Sequence, residues 1–333
     1  MNNYGLPYKG SKNRLAEKIV KLFPDAENFY DLFCGGCAIT HRALIENRWK
    51  NYVINDIDSR CPKLFLDAIN GKFKNETRWI SREDFLNSNE PYVKFCWSFG
   101  NNLKSYLYSR EIEPYKKACH YAFVFDDFSL IKELCPEVYD VTKEALDGIK
   151  NIKKRRLAFG PAVIKELKRL GDWDLVQNNP LYKSAHWRGG KLDGKNDYLQ
   201  SLQSLQSLER LERLQRLESL QRLESLQSLQ QFSTDYQNIE IKKDSVIYCD
   251  IPYKGTDGYN GIDFDFERFF SWCKNQTELC FISSYEMPED FIPIAEIPHR
   301  SILSATKNKP VIEKVFIPKH QLELYKARIS ACI

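Results

Sequence analysis

Residues 29–58 read FYDLFCGGCAITHRALIENRWKNYVINDID. Phe29 to Phe33 is a short apolar run of strand type, and Gly35-Gly36 break it. Ala38 to Asn47 then carries a helical pattern. Tyr52 to Asp58 is a second apolar run that ends in acids. Strand, glycine turn, helix, strand and acid, in that order, open a doubly wound α/β sheet. The glycines let the backbone approach a ligand closely where the helix begins. Asp56 follows about 20 positions later at the tip of the next strand, placed to accept from a ribose hydroxyl. The phosphate fingerprint G-x-G-x-x-G is absent, which disfavours a dinucleotide and allows a nucleoside ligand.

On the N-terminal side, LPYKGSKNRLAEKIVKLFP (Leu6 to Pro24) runs from a Gly-Ser turn into a helical pattern, with Leu15, Ile19, Leu22 and Phe23 on one face. Cys61 to Ile69 also has a helical pattern. The α/β rhythm is lost from about residue 76 to 198, where aromatic and basic residues abound and the segments look mainly helical. It returns from Ile239. SVIYCDIPY (Ser245 to Tyr253) is a buried strand ending in a polar turn. A helix at Phe264 to Cys273 and strands at Leu279 to Ser283 and Val311 to Ile317 follow. The expected architecture is one discontinuous α/β domain of residues 1–75 and 231–333. Residues 76–198 are its mainly helical insertion.

Residues 199–230 are of low complexity, with leucine at every third position from Leu199 to Leu229, eleven in all. A three-residue step slips an α-helical stripe by about 60° each time. A helix with three residues per turn would instead stack the leucines on one ridge, although such 3₁₀ runs rarely exceed 3–4 residues. We expect a single long helix, with extended 3₁₀ geometry as its variant and a short solenoid as a third option. Its simplest role is a connector.

The chain has 333 residues, 43% of them hydrophobic, enough for a real core rather than a disordered chain. The net charge of +4 is unevenly spread. Residues 148–198 hold 12 Lys/Arg against 5 Asp/Glu, a net of +7, whereas 1–147 and 199–230 are neutral and 231–333 carry −3. One short segment thus owns the excess, the pattern of a polyanion-binding patch or of a solvated lysine-rich surface. No apolar run approaches the roughly 20 residues of a membrane helix. The first residues, MNNYGLPYKGSKNRL, lack the apolar core of a secretory signal. Of ten cysteines only Cys34 and Cys37 are close in sequence, so no zinc site and reduced cytosolic thiols are expected.

CDIPY (Cys249 to Tyr253) places an acid, a rigid proline turn and an aromatic at the carboxyl edge of a strand. Ligands bind at that edge in open α/β sheets. A planar base with an amino group can donate to the Asp250 carboxylate and the Ile251 carbonyl while stacking on Tyr253. Taken alone, the tetrad reads rather as an ordinary strand-end Asp-x-Pro turn. Cys34 and Cys249 read as small core-packing residues.

The order YKGSK, DLFCGG, NDID, insertion, DIPY, SSYE resembles the Dam-like (D12 class) family of DNA adenine-N6 methyltransferases, over roughly residues 4–70 and 239–317. The resemblance implies S-adenosylmethionine as cofactor. Tyr8, Lys9 and Gly10 fall in the motif that closes over it, and Asp31, Phe33, Cys34 and Gly35 in the glycine loop. Asp56 matches the ribose-binding acid, and Asp250 lies close to both cofactor and base. Asp250, Ile251, Pro252 and Tyr253 match the catalytic tetrad, usually Asp-Pro-Pro-Tyr. Ile251 departs from it, but the acceptor needed there is a backbone carbonyl, which every residue has. Ser283, Ser284 and Tyr285 resemble the next strand-end motif, and Asn308 to Ile317 the closing strand.

The implied reaction is site-specific methylation of adenine N6 in double-stranded DNA, with the base flipped out of the duplex. Lys153, Lys154, Arg155, Arg156, Arg188 and Lys191 of the basic segment are the candidate DNA contacts. WSFGNN (Trp97 to Asn102) suits either the rim around a flipped base or the core. The alternatives are an amino methyltransferase for cytosine N4 or RNA, and a DNA-binding homologue weakened by Ile251. A cytoplasmic monomer or weak homodimer, in bacteria or a phage-infected host and away from membranes, is the expected setting.

Overall fold

The computed structural model describes residues 4–8, 10–170, 205–253, 264–300 and 310–330. They divide into two compact units. The first joins the residues up to Lys74 with those from Glu212 onward, and the second runs from Asn75 to Leu211.

The first unit is a seven-stranded sheet. Its strands are β1 (Asn28–Asp31), β2 (Asn51–Asn55), β3 (Leu229–Phe232), β4 (Ser245–Asp250), β5 (Leu279–Ser284), β6 (Phe291–Arg300) and β7 (Pro310–Pro318). The spatial order is β3-β2-β1-β4-β5-β7-β6. The first five strands in that order are mutually parallel, whereas β7 runs antiparallel to both β5 and β6. The chain leaves β1 outward to β2 and later returns to β4 on the other side. The carboxyl ends of β1 and β4 therefore flank the point where the strand order reverses, which is where such sheets bind ligands.

Burial explains why the central strands read as continuous apolar runs. Every residue of β1 and β5 is buried, as is β4 up to Cys249. One face packs Phe23 against Phe29, Tyr248 and Phe281, with ring centroids 4.8–5.8 Å apart. Each fully buried aromatic of this kind contributes on the order of 2–3 kcal/mol. The helix Ala38–Glu46 follows β1, and Arg60–Ile69 follows β2. Strand β6, with two prolines and interspersed polar residues, carried no strand signal. Its pairing with β7 creates it as an edge, where proline is tolerated.

The second unit is built of helices among its described residues, including Glu113–Val124 and Ile152–Leu170. Its core gathers Trp79, Trp97, Tyr108 and His120. Trp79 stacks on Tyr108 at 5.7 Å, and Trp97 meets Trp79 edge-on at 5.0 Å. Trp97 is therefore a core residue, while Phe99 two positions on is exposed.

The single long helix expected for the leucine tract is not formed. Residues Gln206–Leu217 are α-helical, Glu218–Arg222 and Glu224–Ser228 are 3₁₀, and Leu229–Phe232 is strand β3. From Leu208 to Leu217 an α-helix rotates the leucine stripe by about half a turn. Continuing would carry the next leucines to the outer face. Switching to three residues per turn halts that drift, and a break with extended backbone at Leu223 limits each 3₁₀ piece to five residues. Leu205, Leu208, Leu211, Leu214, Leu217 and Leu220 are all buried.

The positions between the leucines are not mere filler. Arg213 donates from Nε to the Gly5 carbonyl at 2.7 Å and from a second nitrogen to the Tyr4 carbonyl. Gln215 donates to the carbonyls of Phe73 and Lys74, and Ser225 to that of Leu44. Hydrogen bonds from charged donors contribute about 1.5–3 kcal/mol each. Arg213→Met is therefore expected to lower stability by about 2 kcal/mol in a thermal melt, whereas Arg216→Met, at an exposed position, should change it by less than about 0.5 kcal/mol. Equal melting temperatures for the two variants would refute the assignment.

Candidate active site

The site is assembled on the carboxyl ends of β1, β2 and β4. After β1 the chain turns through Gly35 at φ 43° and Cys37 at φ 53°, both left-handed, before the helix Ala38–Glu46 begins. The N-terminal segment lies over this turn, with Leu6 N–H donating to the Gly36 carbonyl at 2.6 Å. A Cβ on Gly36 would lie 2.7 Å from Tyr8 Cβ, and one on Gly5 would lie 2.1 Å from the Gly36 oxygen. Glycine is required at both places. His41 accepts from the Gly5 N–H through Nδ1 at 2.9 Å. Burial, aided by Arg213 and Arg42, pulls its pKa down to about 4 and keeps it a neutral acceptor.

A cleft of about 130 Å³, partly open to solvent, lies beneath this segment. Tyr8, Gly10, Phe33, Cys34 and Gly35 line one side, and Asp31 and Asp56 its floor. Asp250, Ile251, Pro252 and Tyr253 close it from β4. Eleven residues proposed from sequence motifs thus converge on one cavity. Lys9 lies outside the described residues.

The two acids of the floor differ in their pairing. Asp56 accepts from the backbone N–H of Gly35 at 2.7 Å and of Asp58 at 2.9 Å. Burial raises its pKa to about 6 against those bonds. Asp31 accepts from Thr40 Oγ1 at 2.6 Å through one oxygen. Its other oxygen, Oδ1, has no hydrogen-bond partner among the described residues. Burial pushes Asp31 up to about 7, only partly offset by Thr40. A buried, half-satisfied carboxylate at a cleft floor calls for a cation or a strong donor.

At the β4 edge the network is denser than sequence motifs suggested. Lys12 Nζ donates to Asp250 Oδ1 at 2.6 Å and to the Tyr253 hydroxyl at 2.8 Å. The Tyr253 hydroxyl donates to Glu313, lying 2.9 Å from each of its oxygens. The Tyr253 ring stacks on Tyr285 with centroids 4.2 Å apart. Burial draws the Lys12 pKa down, but the charges of Asp250 and Glu313 prevail and hold it above its ordinary value. Burial likewise raises Asp250, with Lys12 opposing. Sequence reading missed Lys12 and Glu313. Lys12 stood inside the quoted YKGSK motif. Glu313 stood inside the quoted closing strand without being singled out, because it is the antiparallel register of β7, with Lys314 opposite Ser284, that brings it beside Tyr285.

Residues 8–135 match the family model of D12 class N6 adenine-specific DNA methyltransferases. Over those residues, fewer than half of the chain, the sequence is similar to that class. The family's reaction is methylation of adenine N6 in DNA with S-adenosylmethionine. No curated protein matches the chain. The match spans the N-terminal segment, the glycine loop and Asp56, and ends before the Asp250 tetrad. The tetrad therefore stands on its geometry. Ile251 is 3% exposed and belongs to the apolar core cluster with Ile247 and Ile282, so its side chain packs inward and leaves the turn's polar edge to Asp250 and Tyr253. Cys34 and Cys249 are buried, and burial raises both thiols well above their ordinary pKa, as befits packing rather than chemistry.

The cationic candidates divide. Lys153 and Lys154 are exposed. Arg155 and Arg156 are 7% and 8% exposed and point inward, a correction to their expected place on a DNA-facing surface. Arg155 donates to the carbonyls of Ile149 and Ala122 and pairs with Asp126, and Arg156 pairs with Glu209 at 2.7 Å. Four consecutive cations on a helix cannot share one face, and the two able to bridge several acceptors are the ones turned in. Arg188 and Lys191 lie outside the described residues. No helix among the described residues is long and apolar enough to cross a membrane.

Proposed function

We propose that this methyltransferase, as a monomer or weak homodimer, modifies adenine N6 at a specific site in double-stranded DNA, with the adenine turned out of the duplex to reach the β4 edge. The observation that carries this reading is the convergence of Asp250 and Tyr253 with Asp31 and Asp56 on one cleft. S-adenosylmethionine supplies an electrophilic sulfonium methyl when bound. The residues present fit it: Asp31 Oδ1 is an unsatisfied acceptor for its ammonium group, Asp56 an acceptor for its ribose, and Gly35 and Gly36 a cradle no side chain could share.

Adenine N6 is a weak nucleophile because its lone pair is delocalised into the ring. The Asp250 carboxylate and the Ile251 carbonyl accept its two N–H bonds and favour a tetrahedral nitrogen with a free lone pair. Tyr253, held by Glu313 and stacked on Tyr285, fixes the plane of the base. Positioning and a preorganised negative acceptor supply the acceleration. Lys153 and Lys154, with Arg188 and Lys191, contact DNA phosphates. Methyl transfer from radiolabelled cofactor to unmethylated duplex DNA, followed by nucleoside analysis, tests the reading. N6-methyladenine is expected, and DNA affinity should fall steeply with salt. Finding N4-methylcytosine or no transfer would overturn it.

A further inference from the structure

Two carboxylates share one ammonium beside the cleft. Lys12 Nζ is 2.6 Å from Asp250 and 3.8 Å from Glu313, and Tyr253 bridges Lys12 to Glu313. Lys12 and Glu313 are 6% and 1% exposed, while Asp250 keeps 22% of its side chain accessible. The trio carries a formal charge of −1. Stability alone gives no reason for the second acid. Placing Glu313 near Asp250 buries like charges together, and burial with that repulsion raises the Glu313 pKa to about 6 against the pull of Lys12. Tyr253, Tyr285 and Tyr248 are the other titratable groups that interact with it among the described residues.

We infer that Glu313 is a positioning residue for methyl transfer: it offsets the charge of Lys12, so that Asp250 retains net negative charge with which to accept the adenine amino group. The inference rests on the role proposed for Asp250. Without Glu313, Lys12 and Asp250 would form a buried one-to-one ion pair. Such a carboxylate is already satisfied by a charged donor and is a poor acceptor for a weak neutral one. During transfer, positive charge develops on N6. A net −1 around it stabilises that charge, and a net zero does not. Lys12 in turn keeps Asp250 ionised and holds it in place.

The test separates charge from hydrogen bonding. In Glu313→Gln the amide oxygen still accepts from Tyr253, so only the charge is lost. The single-turnover rate at saturating DNA and cofactor should fall by roughly 10- to 100-fold, with cofactor affinity changed less than about twofold. Glu313→Asp, which restores the charge, should stay at least about fivefold closer to the parent than Glu313→Gln. Cofactor binding and thermal melts show that each protein is folded. A Glu313→Gln rate equal to the parent's, or a folded Glu313→Asp no faster than Glu313→Gln, overturns the inference. An active Asp250→Ala would instead overturn the proposed base-accepting role itself.

Discussion

Asp250→Ala is expected to reduce methyl transfer by more than about 10³-fold while cofactor binding changes only a few-fold. The asymmetry follows from where its contacts lie. Asp250 ends β4, with its carboxylate held by Lys12 at 2.6 Å and partly open to the cleft. It meets the adenine amino group in the proposed pose, whereas Asp31 and Asp56 hold the opposite end of the cofactor. Removing it does not strand Lys12, which retains Glu313 and Tyr253, so the fold is expected to survive. Radiolabel transfer to duplex DNA and calorimetric titration with S-adenosylmethionine measure the two halves separately. Undiminished transfer would end the catalytic assignment.

The second large effect belongs to Asp31. Its carboxyl sits near pKa 7 in the folded protein, above its unfolded value of about 3.9. The native state thus holds a proton that the unfolded chain releases across roughly pH 4 to 7. Stability without cofactor should fall as pH rises through that window. Binding a cationic group at Oδ1 favours the ionised form. Cofactor binding to the native protein at pH 6 to 7 is therefore expected to release protons, and affinity to rise toward pH 8. Asp31→Asn keeps the Thr40 bond and removes the charge. It should raise the melting temperature without cofactor at pH 8, weaken cofactor binding by at least about 10²-fold, and abolish that proton release. Titrations in buffers of different ionisation enthalpy report the proton count. Unchanged affinity in Asp31→Asn would show that Oδ1 does not meet the ligand.

The strands β1, β2, β4, β5 and β7 were legible because each is a short apolar run with a turn signal at its end. Local chemistry sufficed for them. Asp56 and Asp250 were legible for the same reason, since each stands at the end of such a run, whereas Asp31, inside the Phe29 to Phe33 run, was marked only by the family resemblance. Strand β6 was not, because Pro293 and Pro298 argue against a strand and only the partner β7 supplies the pairing. The last triplets of the leucine tract were not legible either. Leu229 and Gln230 carry the same repeat chemistry as the helical part, yet with Gln231 and Phe232 they pair beside β2 as the sheet's edge strand.

Sequence alone determined the α/β frame, the glycine turn and the strand-end positions of Asp56 and Asp250, because hydrophobic period and turn chemistry act between near neighbours, and the family resemblance marked the other residues around the cleft. Tertiary structure alone decided three other matters. Glu313 reaches Tyr253 across 60 positions through an antiparallel register. Arg155 and Arg156 turn inward because Asp126 and Glu209 are brought within ion-pair range of them. The uniform triplet repeat becomes helix, 3₁₀ and strand in turn. In each case the controlling term is the burial or pairing of a group by a residue distant in sequence. A linear pattern has no means of encoding that proximity.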